Sequence, residues 1–197
     1  METEYKTYKH NPPHLFVENS KYFITASTYM RKPFLKYSAA KEKLYSSLFF
    51  EFSKYNWKIE DWVILDNHYH LMVNVADNPL ILPRIIREAH RFTALWIKKY
   101  INMEFTNRVD GDVELTRLIH STKKIFYNYW DTCITYDNSY FTRINYIWYN
   151  PVKHGYVDSP EEWKFGSYYS RYKEEAEEMK LLTKNYPFEK VKIKDEF

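Results

Sequence analysis

One cysteine and three glycines in a chain of 197 residues exclude several kinds of chemistry. Cys133 stands alone, so neither an internal disulfide framework nor a cysteine-built zinc site can form. So few glycines build no phosphate-cradling loop, and no Gly-x-Ser-x-Gly or Walker pattern occurs, which argues against a nucleotide cofactor and a serine hydrolase. Charge of one sign is scarce too: 29 Lys and Arg against 26 Asp and Glu leave a net +3. That sum is too small to argue a nucleic-acid partner unless the charges are segregated. No stretch approaches the roughly eighteen consecutive apolar residues of a membrane span. Met1-Glu2-Thr3-Glu4 lacks the basic and then apolar run of a secretory leader, so a soluble cytoplasmic protein without a membrane partner is expected.

What is abundant is aromatic surface: twenty Tyr, thirteen Phe and six Trp, 20% of the chain. The length suits one domain with a real core, and that core does not need so many rings. Exposed rings beside cations suit unstacked bases, although Tyr-rich packing accounts for most of them equally well.

The periodicities define an order of elements. Tyr22 to Tyr29 is β-branched and aromatic and stops at Arg31-Lys32-Pro33, a first strand. Ser38 to Tyr55 carries Leu44, Leu48, Phe52 and Tyr55 at helical spacing. Trp57 to Leu65 and Tyr69 to Val75 flank Asp66-Asn67 and predict a hairpin, with the histidines His68 and His70 opening its second strand. Pro79 to Tyr100 repeats Leu82, Ile85, Ala89, Phe92 and Trp96 every three or four residues, and proline is tolerated in a first turn. Asn102 to Tyr129 has no legible period. Trp130 to Tyr136 predicts a last strand, and Asn138 to Asn150 a helix ended by Pro151. Ser159-Pro160-Glu161-Glu162 starts a short helix, and a charged helix and polar tail follow from Arg171. The order predicts an α+β, ferredoxin-like or RNA-recognition-like sandwich: an antiparallel sheet with helices mainly on one face and the other face open to a ligand.

Three groups of residues could carry chemistry. His68 and His70 are two apart, so on a strand both imidazoles share a face and can reach one cation, whereas a helix would separate them by about 200°. The plain alternative is a pair of surface histidines on a half-exposed strand. Tyr146 and Asn150 are four apart and share a helix face, so a hydroxyl and an amide oxygen can meet one site. A phenol with a pKa near 10 is a poor nucleophile until a metal or base favours its phenolate. Arg84, Arg87, Arg91 and Lys98 follow three- and four-residue steps and with His90 form a cationic stripe. Lys99, Arg108, Arg117, Lys123 and Lys124 extend it, while acids concentrate from Asp158 to Glu178. Such a stripe is either the solvated face of an amphipathic helix or a means of neutralising phosphates.

These residues carry a family resemblance. Asp66-Asn67-His68-Tyr69-His70-Leu71-Met72 resembles the His-hydrophobic-His motif of single-tyrosine HUH transposases. Tyr146 to Val157 (YIWYNPVKHGYV) resembles the Tyr-Ile-x-x-Asn-Pro-Val-x-x-Gly signature of their REP-associated branch. Tyr22 to Leu35 and Pro160 to Tyr168 resemble the segments around that family's first strand and after its signature. The resemblance spans about residues 14–172, leaving 173–197 as a charged helix and tail. Asp66 departs from the usual proline, Tyr69 is polar-tipped at a hydrophobic position, and His154 replaces a small or basic residue.

The resemblance implies single-stranded DNA cleavage and joining at a hairpin, with Tyr146 as nucleophile, a 5′-phosphotyrosine and a free 3′-hydroxyl. It implies His68 and His70, with Asn150, as ligands of one divalent ion, Mg²⁺ or Mn²⁺, imidazole suiting Mn²⁺ better. Arg84, Arg87, His90, Arg91 and Lys98 would contact DNA, and the chain would act as a monomer or homodimer. Two other readings use the same residues: a binding module for structured DNA or RNA with an idle Tyr146, and a replication initiator or relaxase-like nickase.

Overall fold

The structure is a computed structural model and describes residues 4–6, 14–104 and 113–190. Two short strands, β1 (Glu4–Lys6) and β2 (His14–Phe16), form an antiparallel ribbon. The main sheet holds β3 (Ser20–Thr28), β4 (Lys58–Ile64), β5 (His68–Val75) and β6 (Phe126–Ile134) in the order β4-β5-β3-β6. All its neighbours are antiparallel. Helix α1 (Ser38–Ser53) links β3 to β4, and α2 (Leu82–Glu104) and α3 (Val113–Ser121) lie between β5 and β6. Helices α4 (Asp137–Lys153) and α5 (Ser167–Asn185) follow. This is the expected α+β, ferredoxin-like order.

Strand alternation sorts the core into two layers. Tyr22, Ile24 and Ala26 of β3 and Tyr69, Leu71, Val73 and Val75 of β5 face one way, against α1 and α2, and all are buried. Leu44, Leu48 and Phe52, four apart on α1, and Ile85, Ile86 and Ala89 of α2 close that layer. Phe23 and Met72 face the other way, where Ile144, Ile147 and Trp148 of α4 cover them. Burying each such aliphatic side chain stabilises by about 1.5–3 kcal/mol. The second face is therefore not open as expected: α4 crosses it, because its own apolar stripe needs a partner as much as the sheet does.

Two boundaries also differ from expectation. Helix α4 runs through Pro151 to Lys153. Its end is set by Gly155 at φ +69°, with Tyr156 N–H bonded to the Pro151 carbonyl at 2.9 Å and Gly155 N–H to Val152 at 3.0 Å. This is the paired closure of a left-handed helix cap, and it needs glycine's freedom. Strand β6 starts at Phe126 rather than Trp130, and its residues alternate poorly between buried and exposed. An edge strand with water on one side lacks the period that reveals inner strands. Within the illegible segment, Val113–Ser121 is helical, while the Asp110-Gly111-Asp112 turn and Arg108 lie outside the described residues.

Candidate active site

The turn before the histidine pair is tied from several sides. Leu65 N–H donates to the His68 carbonyl at 2.8 Å, Thr28 N–H to Asn67 at 2.8 Å, and Leu35 N–H to Asp66 at 2.9 Å. The Asp66 carboxylate meets Lys41 Nζ at 2.6 Å, and Lys41 is 3% exposed. Burial pushes the Lys41 ammonium below its usual range and the carboxylate opposes that shift. An acid at position 66 therefore has a purpose here, because a buried cation needs a partner.

Both histidines point to the face that α4 covers. His70 is fully buried, its Nδ1 lies 2.9 Å from Thr25 Oγ1, and its ring stacks on Phe23. His68 Nδ1 lies 2.7 Å from Asn67 Oδ1, and its Nε2 lies 3.1 Å from Asn150 Oδ1. Asn67 Nδ2 donates to the Arg31 carbonyl at 3.2 Å, which turns Oδ1 toward His68. Burial, reinforced by the neighbouring His154, holds the His68 imidazole at about 3, and burial holds His70 well below its ordinary value. Both are neutral at neutral pH.

A neutral imidazole donates from one nitrogen only. His68 can therefore donate to Asn67 Oδ1 or to Asn150 Oδ1 but not to both, and in the tautomer that donates to Asn67 its Nε2 turns a lone pair toward Asn150 Oδ1. Asn150 Nδ2 is buried without a hydrogen-bond partner among the described residues. Two lone pairs 3.1 Å apart make the arrangement that a shared cation relieves. Adjacent ligands on an octahedral ion with bonds near 2.1 Å lie about 3.0 Å apart, and outer Nδ1 contacts such as Thr25 and Asn67 typically orient ligating imidazoles. The residues therefore fit a divalent ion. No three His, Cys, Asp or Glu side chains form a metal site among the described residues, and the oxygen beside His68 Nε2 is that of the Asn150 amide.

Helix α4 brings the remaining groups. Tyr146 is 2% exposed, and its ring stands edge-on to His70 at 5.2 Å and to Phe23 at 6.3 Å between centroids. Lys153 Nζ donates to Tyr146 Oη at 3.0 Å. Tyr149 points elsewhere and stacks on Phe188 at 5.4 Å. His154 adds a third imidazole, 4.8 Å from His68 between centroids. The structure thus brings His68, His70, Tyr146 and Asn150 together.

The basic stripe lies on the other side of the sheet and is less uniform than its spacing. Arg84 is exposed. Arg87 and Arg91, 68% and 50% exposed, flank Glu88, with Arg91 Nε 2.9 Å from its carboxylate. Lys98 Nζ donates to the Thr122 carbonyl at 2.9 Å and so braces α2 against the end of α3. His90 stacks on Phe126 at 4.1 Å and lies 2.9 Å from Tyr69 Oη, and burial holds it at about 3. It therefore adds no positive charge to the stripe, contrary to its place in the spacing. Arg87, Arg91, Lys123 and Lys124 instead line a groove of about 450 Å³ floored by Phe126 and Tyr129.

Thr25, Arg31, Asn67 and Lys153 lie inside the segments that carry the resemblance, yet spacing singles out none of them. Thr25 and Asn67 act only through the histidines they orient. Arg31, on a left-handed backbone at φ +53°, reaches the site electrostatically and adds a smaller push to the burial that lowers His68 and His154. Its signal in the sequence is the Arg-Lys-Pro strand exit, and that of Lys153 its place one heptad after Tyr146.

Comparison with known proteins falls on this geometry. A solved REP-associated tyrosine transposase bound to a REP hairpin superposes over 98% of this chain and 94% of its own, with a TM-score of 0.58 and 18% identity. The chain has the fold of a REP-associated tyrosine transposase. In sequence, 47 residues are 38% identical to a Haemophilus influenzae protein provisionally named a REP-associated tyrosine transposase. That match spans 24% of this chain and 27% of the relative's length. No family model matches the chain. Both relatives carry the family name that the His-Tyr-His and Tyr-Ile-x-x-Asn-Pro motifs resemble.

Proposed function

We propose that this protein is a REP-associated-type tyrosine transposase, a single-strand DNA endonuclease and strand transferase acting beside a DNA hairpin. One observation carries the reading: Tyr146 from α4 is packed against His70 on the sheet face where His68 and Asn150 meet. Tyr146 Oη would attack the scissile phosphorus, and the bond from phosphorus to the 3′ oxygen would break. The products are a 5′-phosphotyrosine and a free 3′-hydroxyl, and the bond energy kept in the tyrosine link makes rejoining independent of ATP. A Mg²⁺ or Mn²⁺ ion held by His68, His70 and Asn150 would supply Lewis-acid polarisation of a non-bridging phosphate oxygen. Thr25 and Asn67 hold the two imidazoles in one tautomer, and Phe23 keeps His70 and Tyr146 in place against each other.

The groove between α2 and β6 would take the hairpin backbone, with Arg87, Arg91, Lys123 and Lys124 against phosphates. Strand β6 connects the two faces. Tyr129 opposes Ala26 toward the groove side, and Trp130 opposes Thr25 on the histidine side. A single strand leaving the hairpin would cross this edge, with Trp130 offering a ring for stacking. The protein would meet its DNA in the cytoplasm, as a monomer or a homodimer.

The test is covalent capture. A 3′-labelled hairpin with single-stranded flanks, drawn from DNA adjoining the gene, should yield a denaturation-resistant labelled adduct with the wild type and none with Tyr146→Phe. Hairpin binding should stay within a few-fold. Adduct formation by Tyr146→Phe, or hairpin binding with no adduct from the wild type in Mg²⁺ and Mn²⁺, would return the chain to the binding-module reading.

A further inference from the structure

Tyr146 is nearly sealed, yet its reactive oxygen is met by an exposed residue. Lys153, seven residues on, donates from Nζ to Tyr146 Oη at 3.0 Å and lies 4.6 Å above the ring centroid. Residues seven apart share a helix face, and helical side chains lean toward the N-terminus, so the lysine stem runs back over the tyrosine. The continuation of α4 through Pro151 to Lys153 makes this reach available, and a cation in a last helical turn is favoured by the helix dipole. A surface lysine ordinarily keeps its ammonium in water. Here it takes a phenol oxygen instead.

We propose that Lys153 is a catalytic residue, whose ammonium stabilises the charge on the Tyr146 oxygen as its bond to phosphorus forms or breaks. This rests on the reading of Tyr146 as nucleophile. In cleavage, the phenolic proton passes to water and Oη bonds to phosphorus. The 3′ oxygen leaves with the electron pair of its bond and takes a proton from water. In rejoining, the 3′-hydroxyl attacks, the bond from phosphorus to Oη breaks, and the phenolate departs with that pair beside Lys153. A charge-assisted contact of this length, partly screened from water, stabilises the charged oxygen more than the neutral phenol, which is the condition for catalysis.

The experiment compares wild type, Lys153→Met and Lys153→Arg at single turnover on the labelled flanked hairpin, in Mg²⁺ and in Mn²⁺. Lys153→Met should slow adduct formation and adduct reversal by roughly tenfold to a hundredfold, with Lys153→Arg recovering most of both rates. Hairpin affinity should stay within a few-fold of the wild type, the loss of a single cation, and the melting temperature should change little, since Lys153 is exposed. On a 3′-bridging phosphorothiolate, whose thiolate leaves unaided, the Lys153→Met deficit should persist, because the help goes to the tyrosine oxygen. Wild-type rates in Lys153→Met, an equal loss in Lys153→Arg, or a deficit that the phosphorothiolate removes would each overturn the assignment of Lys153 alone. A wild type that forms no adduct overturns the nucleophile and Lys153 together.

Discussion

The Tyr69 hydroxyl lies 2.9 Å from His90 Nε2, so the residue between the two site histidines is fastened through the opposite face of the sheet to α2. A hydrophobic side chain at 69 would fill the same space without that link. Tyr69 is fully buried, and its neighbours His68 and His70 project the other way. Whatever fixes Tyr69 therefore also fixes the backbone from which both imidazoles hang.

Replacing Tyr69 with Phe should cost about 1–3 kcal/mol by leaving a buried His90 nitrogen without its partner. Denaturant unfolding at pH 7.5 measures this, and an unchanged midpoint would show the link to be idle.

Acid should destabilise the fold through the same histidine. Burial holds His90 at about 3, whereas an unfolded histidine titrates near 6.5. The unfolded chain therefore binds the extra proton below about pH 6.5, and stability present above that value is lost as pH falls toward 3, by up to about tenfold in the unfolding equilibrium per unit. His68 and His70, also held down by burial, act in the same direction. Melting temperatures that stay flat between pH 7.5 and 4.5 would contradict this.

The proposed ion site can be tested without activity. Thr25→Val keeps the shape but removes the group facing His70 Nδ1, and should weaken Mn²⁺ binding by about tenfold to a hundredfold in calorimetric titration. His68→Ala should abolish measurable binding, and Asn150→Ala should do less if water replaces the amide. Equal Mn²⁺ affinity across wild type and His68→Ala would remove the metal from these residues.

Tyr149 offers a control on register. It faces Phe188 rather than the histidines, so Tyr149→Phe should leave adduct formation intact. An adduct lost in Tyr149→Phe but kept in Tyr146→Phe would exchange their roles.

Salt dependence tests the groove. Removing Arg87 and Arg91 together should flatten the slope of log affinity against log salt by roughly 0.7–0.9 for each phosphate that is no longer neutralised. Their shared partner Glu88 competes with DNA for both, so Glu88→Gln should strengthen binding. A slope untouched by the double change would make this the ordinary solvated face of α2.

Much of this was legible in the chain itself. Two-residue spacing alone put His68 and His70 on one face, and four-residue spacing aligned Tyr146 with Asn150, because strand and helix periods are local properties of the backbone. The same periods located α1, the β4–β5 hairpin and most of α2. They caught only the second half of β6, whose edge position blurs alternation, and they ended α4 a turn early, since proline's local penalty was outweighed by the cap that Gly155 completes. What only the tertiary structure decided is which faces meet. His68 and Asn150 are 82 positions apart, and no periodicity says that α4 will cross the histidine face instead of leaving it open. That crossing follows from two apolar surfaces needing cover at once. It alone brings Tyr146 against His70, while the packing of α2 on the opposite face leaves Arg87 and Arg91 on the far side of the sheet and makes His90, placed by spacing among the cations, a neutral strut behind Tyr69.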